Sequence, residues 1–141
     1  MLRGEGLVMT AKEYLSQYKS ANREIDRLIE EKARWMDLAT RITPAQTQGG
    51  RASGSENGKI PLVVEKIIEA EEKINARVDE LVDLRREIEA RLAMMSEEKQ
   101  REVLHRRYIL GQKWEEIALN MNYSYMQVCR IHGAALQAFK M

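Results

Sequence analysis

From Tyr14 onward, apolar residues recur in alternating steps of four and three: Tyr14, Tyr18, Ala21, Ile25, Leu28, Trp35, Ala39 and Ile42, with Lys32 the one interruption. That spacing is the a/d seam of a coiled-coil-like helix. Thr10, with Glu13 three residues on, forms a capping box that starts it, and Ile29 and Met36 are expected to widen the stripe. The rhythm returns over Ile60, Val63, Ile67, Ala70, Ile74, Leu81, Leu84, Ile88 and Met95. Arg77 and Arg91 interrupt this second seam, and Val78 and Leu92 are expected to take over there. An apolar stripe cannot stay exposed on a stable helix, so each helix needs a partner and the other supplies it. Between them, Thr43 to Lys59 holds Pro44, several Gly and Ser and almost nothing apolar, which predicts a flexible loop. Residues 10–95 therefore read as a long antiparallel helical hairpin. Residues 1–9 have no periodicity and are expected to be a disordered lead-in, with Met9 an alternative start to Met1.

The pattern changes at Ser96, which is placed to cap a new helix carrying Glu97 and Glu98 in its first turn. Val103, Leu104 and Tyr108 form its apolar side, and Gly111 is positioned to end it. A short helix, Trp114 to Met121, follows, with Trp114, Ile117, Ala118 and Met121 on one face. Asn122 tolerates the left-handed backbone of a tight turn. Ser124 then caps a third helix, whose Val128, Ile131, His132, Ala135 and Phe139 fall at helical spacing. A small residue where two helices cross (Ala118), a left-handed turn four residues later, and buried aliphatics ten and thirteen residues later (Val128 and Ile131) make up the pattern of a helix-turn-helix. The fold class expected is all-α: a coiled-coil-like hairpin followed by a three-helix helix-turn-helix domain over residues 96–141.

Composition supports the helical reading. Charged residues reach 32% and aromatics only 6%, which suits long solvated helices better than a sheet. The net charge of +1 neither demands nor forbids a polyanionic partner, so any nucleic-acid reading must come from local placement. Cys129 is the only cysteine, so no internal disulfide forms and a reducing, cytoplasmic setting is expected. No apolar run approaches the roughly 20 residues of a membrane span. His105 and His132 lack the cysteine or carboxylate neighbours of a metal site, and His132 reads as a packing histidine on an inward face. With no nucleophile–base pair and no phosphate-cradling loop, neither catalysis nor a cofactor is expected.

The run Arg101-Glu102-Val103-Leu104-His105-Arg106-Arg107-Tyr108, then Gly111, then Trp114-Glu115-Glu116-Ile117-Ala118, resembles region 4 of bacterial sigma factors. The resemblance covers about a third of the chain. A hairpin ahead of such a module is similar to small phage-encoded regulators of the RinA and ArpU type, whose start Met9-Thr10-Ala11-Lys12-Glu13-Tyr14-Leu15 also resembles. The resemblance implies control of transcription, often of late phage genes. Nothing resembles sigma region 2, so a complete sigma factor is not implied. Lys113 stands where the family carries Ser or Thr, and Cys129 and Ala134 stand where basic residues are common.

If the third helix enters the major groove of double-stranded DNA, Tyr125, Met126, Gln127 and Arg130 face the base edges. Gln127 is suited to adenine and Arg130 to guanine, both by paired hydrogen bonds. Arg106, Arg107, Lys113 and Lys140 are the candidate phosphate contacts, which position without specifying. From Ser96 to Met141 the bases Lys99, Arg101, Arg106, Arg107, Lys113, Arg130 and Lys140 barely outnumber Glu97, Glu98, Glu102, Glu115 and Glu116. A single copy should therefore bind weakly and be sensitive to salt, and a homodimer through the hairpin would offset this. Two alternatives stand beside the sequence-specific transcriptional regulator. One is a DNA-packaging adaptor similar to a small terminase subunit, and the other is an interaction protein docking on RNA polymerase.

Overall fold

A computed structural model describes residues 9–49 and 54–141, with side chains described outside 43–58. Among the described residues the secondary structure is entirely helical. Two long helices, α1 (Ala11–Gly49) and α2 (Gly54–Ala93), precede three short ones: α3 (Glu98–Leu104), α4 (Trp114–Met121) and α5 (Tyr125–Ala138). A π-helical turn, His105–Ile109, continues α3.

The capping box that starts α1 is formed as the sequence predicts. Thr10 N–H donates to Glu13 Oε1 at 3.0 Å, and Glu13 N–H donates to Thr10 Oγ1 at 3.1 Å. The loop expected over Thr43–Lys59 is corrected: α1 runs to Gly49 and α2 starts at Gly54, so Pro44 and Pro61 both lie within helices. Extending a nucleated helix adds one hydrogen bond per residue ordered, and Ala45, Gln46 and Gln48 propagate it at little cost without an apolar seam. Only residues 50–53 separate the helices; they, and residues 1–8 of the lead-in, lie outside the described residues.

The chain divides into two compact units that do not follow a boundary at residue 95. One joins the start of α1, up to Ala21, with everything from Leu81 onward; the other is residues 22–80. In the first unit α1 and α2 pair antiparallel, with the Arg85 guanidinium on Tyr18 Oη at 3.3 Å and Arg91 over the Tyr14 ring at 5.3 Å. Leu15, Tyr18, Ile88, Leu92 and Met95 bury in one core with Leu104, Tyr108, Ile109, Ala135 and Phe139. This core explains the division, since the first turns of α1 and the last turns of α2 pack with α3 and α5. Leu15 is fully buried although it lies one position off the seam.

In the second unit Glu24 Oε2 pairs with Arg77 Nε at 3.1 Å, and Lys32 Nζ with Glu71 Oε2 at 3.9 Å, so these stretches are antiparallel too. Three seam expectations need correction. Ile29, Met36 and Val78 are exposed, because the partner helix reaches only the narrow a/d seam, where half-buried Arg77 keeps its place and pairs with Glu24. Leu92 does bury beside Arg91.

The corner between α2 and α3 also departs from expectation. The N-cap of α3 is Glu97, one residue beyond Ser96, and it makes no side-chain capping bond. Met95 buries after α2 has ended, and Arg101 donates to its carbonyl oxygen; together these hold the chain non-helical until Glu97.

Candidate nucleic-acid interface

The last three helices position the candidate site. Gly111, at φ +72°, ends the π-helical turn where the sequence places a glycine. The turn closes with Leu110 N–H on His105 C=O at 3.0 Å. Its extra residue lets Tyr108 and Ile109 bury in succession and brings Arg107 over the Trp114 ring, Cζ to centroid 4.3 Å. The α4 N-terminus is capped from one side only. Glu116 Oε1 accepts Lys113 N–H at 2.7 Å, but the Lys113 ammonium has no lone pair with which to accept in return.

The link from α4 to α5 has the expected geometry. Asn122 adopts φ 60° and ψ 43°, the left-handed region. Tyr123 N–H bonds Ala118 C=O at 3.0 Å and Asn122 N–H bonds Leu119 C=O at 3.3 Å, the paired bonds of a Schellman stop. Ser124 then caps α5 reciprocally: its Oγ accepts Gln127 N–H at 3.1 Å while Gln127 Oε1 accepts Ser124 N–H at 2.8 Å. Val103, Ile117, Ala118 and Val128 bury at the crossing, with Trp114, Met121, Tyr123 and Ile131 packed around them.

His132 sits between this crossing and the rest of the unit. Its Nε2 lies 2.8 Å from Tyr108 Oη, and its ring meets Trp114 edge-on at 4.6 Å. Burial, with the nearby charges of Lys12 and Arg107, pushes its pKa down to about 4, so it is neutral at physiological pH. The packing role read from the sequence is the one it has.

The eight candidate contact residues do not form one surface. Tyr125, Met126, Gln127 and Arg130 project from the first turns of α5 and are exposed. Arg130 makes no hydrogen bond or ion pair among the described residues. Tyr125 lies beside Cys129, whose thiol is the main influence pushing the phenol pKa up. Gln127 is already committed to the cap, so pairing with adenine would require it to release Ser124 N–H. Lys113 is exposed at the start of α4.

Two cations expected on phosphates are occupied within the protein. Arg106 pairs with Glu102 at 2.9 Å and reaches Gln112 Oε1 at 3.4 Å. Arg107 stacks on Trp114 and donates to Gln112 C=O at 3.0 Å. Lys140 follows α5, a helix roughly 20 Å long at ~1.5 Å per residue, so it is far from the α5 N-terminus. Its carbonyl accepts from Arg91 at 3.4 Å.

Sequence reasoning missed Gln112, which also accepts from Asn120 Nδ2 at 3.2 Å and so ties the π-helical turn to α4. A glutamine immediately after the helix-ending glycine was the only available signal. Leu119, on α4, is 78% exposed and was not singled out either. Among the described residues no group of His, Cys, Asp and Glu is arranged to hold a metal ion, and no helix is long and apolar enough to cross a membrane. Compared with family models, curated proteins and solved structures, the chain matches none.

Proposed function

We propose that this chain is a non-enzymatic, cytoplasmic DNA-binding regulator of transcription, in which a helical hairpin carries a helix-turn-helix and α5 enters the major groove. The observation that carries this reading is the α4–α5 unit: a Schellman stop at Asn122, a capped α5, and an α5 N-terminal half whose Arg130 guanidinium is uncommitted. A recognition helix needs this rigid entry and this outward-facing first stretch. Arg130 supplies the base-reading donor, Tyr125 and Met126 pack on thymine methyls or sugar, and Lys113 contacts phosphate from the α4 N-terminus. The resemblance of Arg101–Ala118 to sigma region 4 points the same way. The test is a titration of isotopically labelled protein with short duplex DNA at low salt, followed by amide chemical shifts. Shifts concentrated at Lys113 and Tyr125–Arg130 are expected; their absence, or shifts confined to residues 22–80, would overturn the reading.

A second reading draws on the apolar character of the exposed α4 and α5 surfaces, where Leu119, Tyr125 and Met126 outnumber uncommitted cations. In that reading the module docks on RNA polymerase instead of on DNA. Copurification with polymerase, together with no DNA-induced shifts, would select it.

A further inference from the structure

The unit formed by residues 22–80 has two unlike sides. In an antiparallel helix pair, residues one position before the seam on both helices share one side, and residues one position after it share the other. On the first side Glu31 of α1 and Lys66, Glu69 and Lys73 of α2 line one shallow depression, so that side is charged. On the second side stand Ile29, Ala33 and Met36 from α1 and Val64, Ile68 and Val78 from α2. Ile29 is 49% exposed, Met36 50%, Val64 45% and Ile68 50%, so large apolar side chains are left open along one side.

This side has a rhythm of its own. Ile29, Ala33 and Met36 are spaced by four and three, and Val64, Ile68, Glu71, Asn75 and Val78 keep the same alternation. Glu71 is paired with Lys32 of its own chain, so the middle of the face presents no uncompensated charge. The unit itself buries only Ile25, Val63 and Ala70 among its described apolar residues, too little for two helices to stand alone in water.

We propose that this face binds a second copy of the same chain, side to side, to give a four-helix bundle. Three observations favour a copy as the occupant. The four-three spacing is what knobs-into-holes packing between hairpins requires. Glu71, the acid in the middle of the face, is neutralised within its own chain, which leaves Asp26 at one end as the acid a copy would meet. Its size also fits: the stretch Val64–Val78 is about 21 Å long and two helices are about 20 Å wide, so the projected face is roughly 400 Å² per copy. A pair hides about 800 Å² before side-chain relief is counted, near the ~1,000 Å² that a specific interface needs.

The experiment is the solution mass of the full chain, measured by sedimentation at tens of micromolar without DNA, so its outcome is independent of the DNA-binding reading. The wild type is expected at twice the chain mass of 16.4 kDa. Ile68→Glu, and separately Met36→Glu on the other helix, should return it to a single chain with the helical circular dichroism retained. Leu62→Glu, equally exposed but on the charged side, should leave the dimer intact. A single-chain mass for the wild type, a ring of many copies, a dimer that survives Ile68→Glu and Met36→Glu, or one lost equally in Leu62→Glu would each overturn the proposal. Single-chain wild type that instead retains an amphipathic helical peptide on this face would give the face to another protein.

Discussion

At the scale of single residues, the C-terminal helices depend on a few side chains whose roles follow from elementary backbone chemistry. Ser124 satisfies an orphan N–H at the start of α5, and its reciprocal partner is Gln127. Ser124→Ala should therefore cost about 1 kcal/mol in urea denaturation. Ser124→Asp should recover most of that loss, because a carboxylate both accepts the bond and favours the positive end of the helix dipole. Asn122 at φ 60° tolerates glycine, whereas Asn122→Val forces a β-branched side chain into the left-handed region and should destabilise by about 1–2 kcal/mol. His132 supplies a pH signature. Its pKa in the folded chain is about 4, below the ordinary value of 6.5, so between those values the unfolded state binds more protons. Stability should therefore be fully present above pH 6.5 and decline as pH falls towards 4. His132→Gln should remove this decline, measured as the difference in denaturation midpoint between variant and wild type across that window; identical profiles would show that the ring is not buried neutral. The Thr10 and Ser124 caps, the Asn122 turn and the inward His132 were legible in sequence because each depends on a residue type at a fixed offset, whereas Ser96 offered a cap that α3 does not use. The commitment of Gln127 to its cap was equally implied by Ser124 three residues earlier, yet exposure alone suggested a base contact.

At the scale of elements, both seams of α1 and α2 were legible because an a/d pattern reports which positions a partner helix covers. What the pattern could not supply was everything outside that partner's reach. Ile29, Met36 and Val78 resemble core by type but lie one position past the seam, and Leu15 lies one past it yet is buried because α3 and α5 reach it. Leu15→Ala should accordingly cost about 2–5 kcal/mol, a core-sized loss, in the denaturation of the full chain. A cost below about 0.5 kcal/mol would mean that the start of α1 does not dock there. Helix ends were less legible than helix centres. The α1 and α2 boundaries moved by several residues because polar stretches extend a helix without leaving an apolar signature. The π-helical turn at His105–Ile109 has no sequence signal, since a single extra residue does not disturb a short pattern. That turn brings Arg107 onto Trp114 and so removes a cation that sequence had assigned to phosphate.

At the scale of the whole molecule, the proposed DNA-binding surface is lean in charge. With Arg106 and Arg107 held by Glu102, Trp114 and Gln112, each copy keeps on the order of two cations for phosphates, Lys113 and the more distant Lys140, which predicts a slope of log affinity against log salt near −2 per copy. Such a surface relies on the rigidity of its entry helix and on specific reading more than on long-range attraction. The most direct test is enrichment of fragmented genomic duplex DNA by the purified protein, run in parallel with Arg130→Ala. A short enriched motif is expected, containing a guanine whose preference is lost in the variant, a discrimination of about 1–3 kcal/mol at that base pair. No enriched motif, or the same motif recovered unchanged with Arg130→Ala, would contradict the assignment of α5 as the helix that reads DNA.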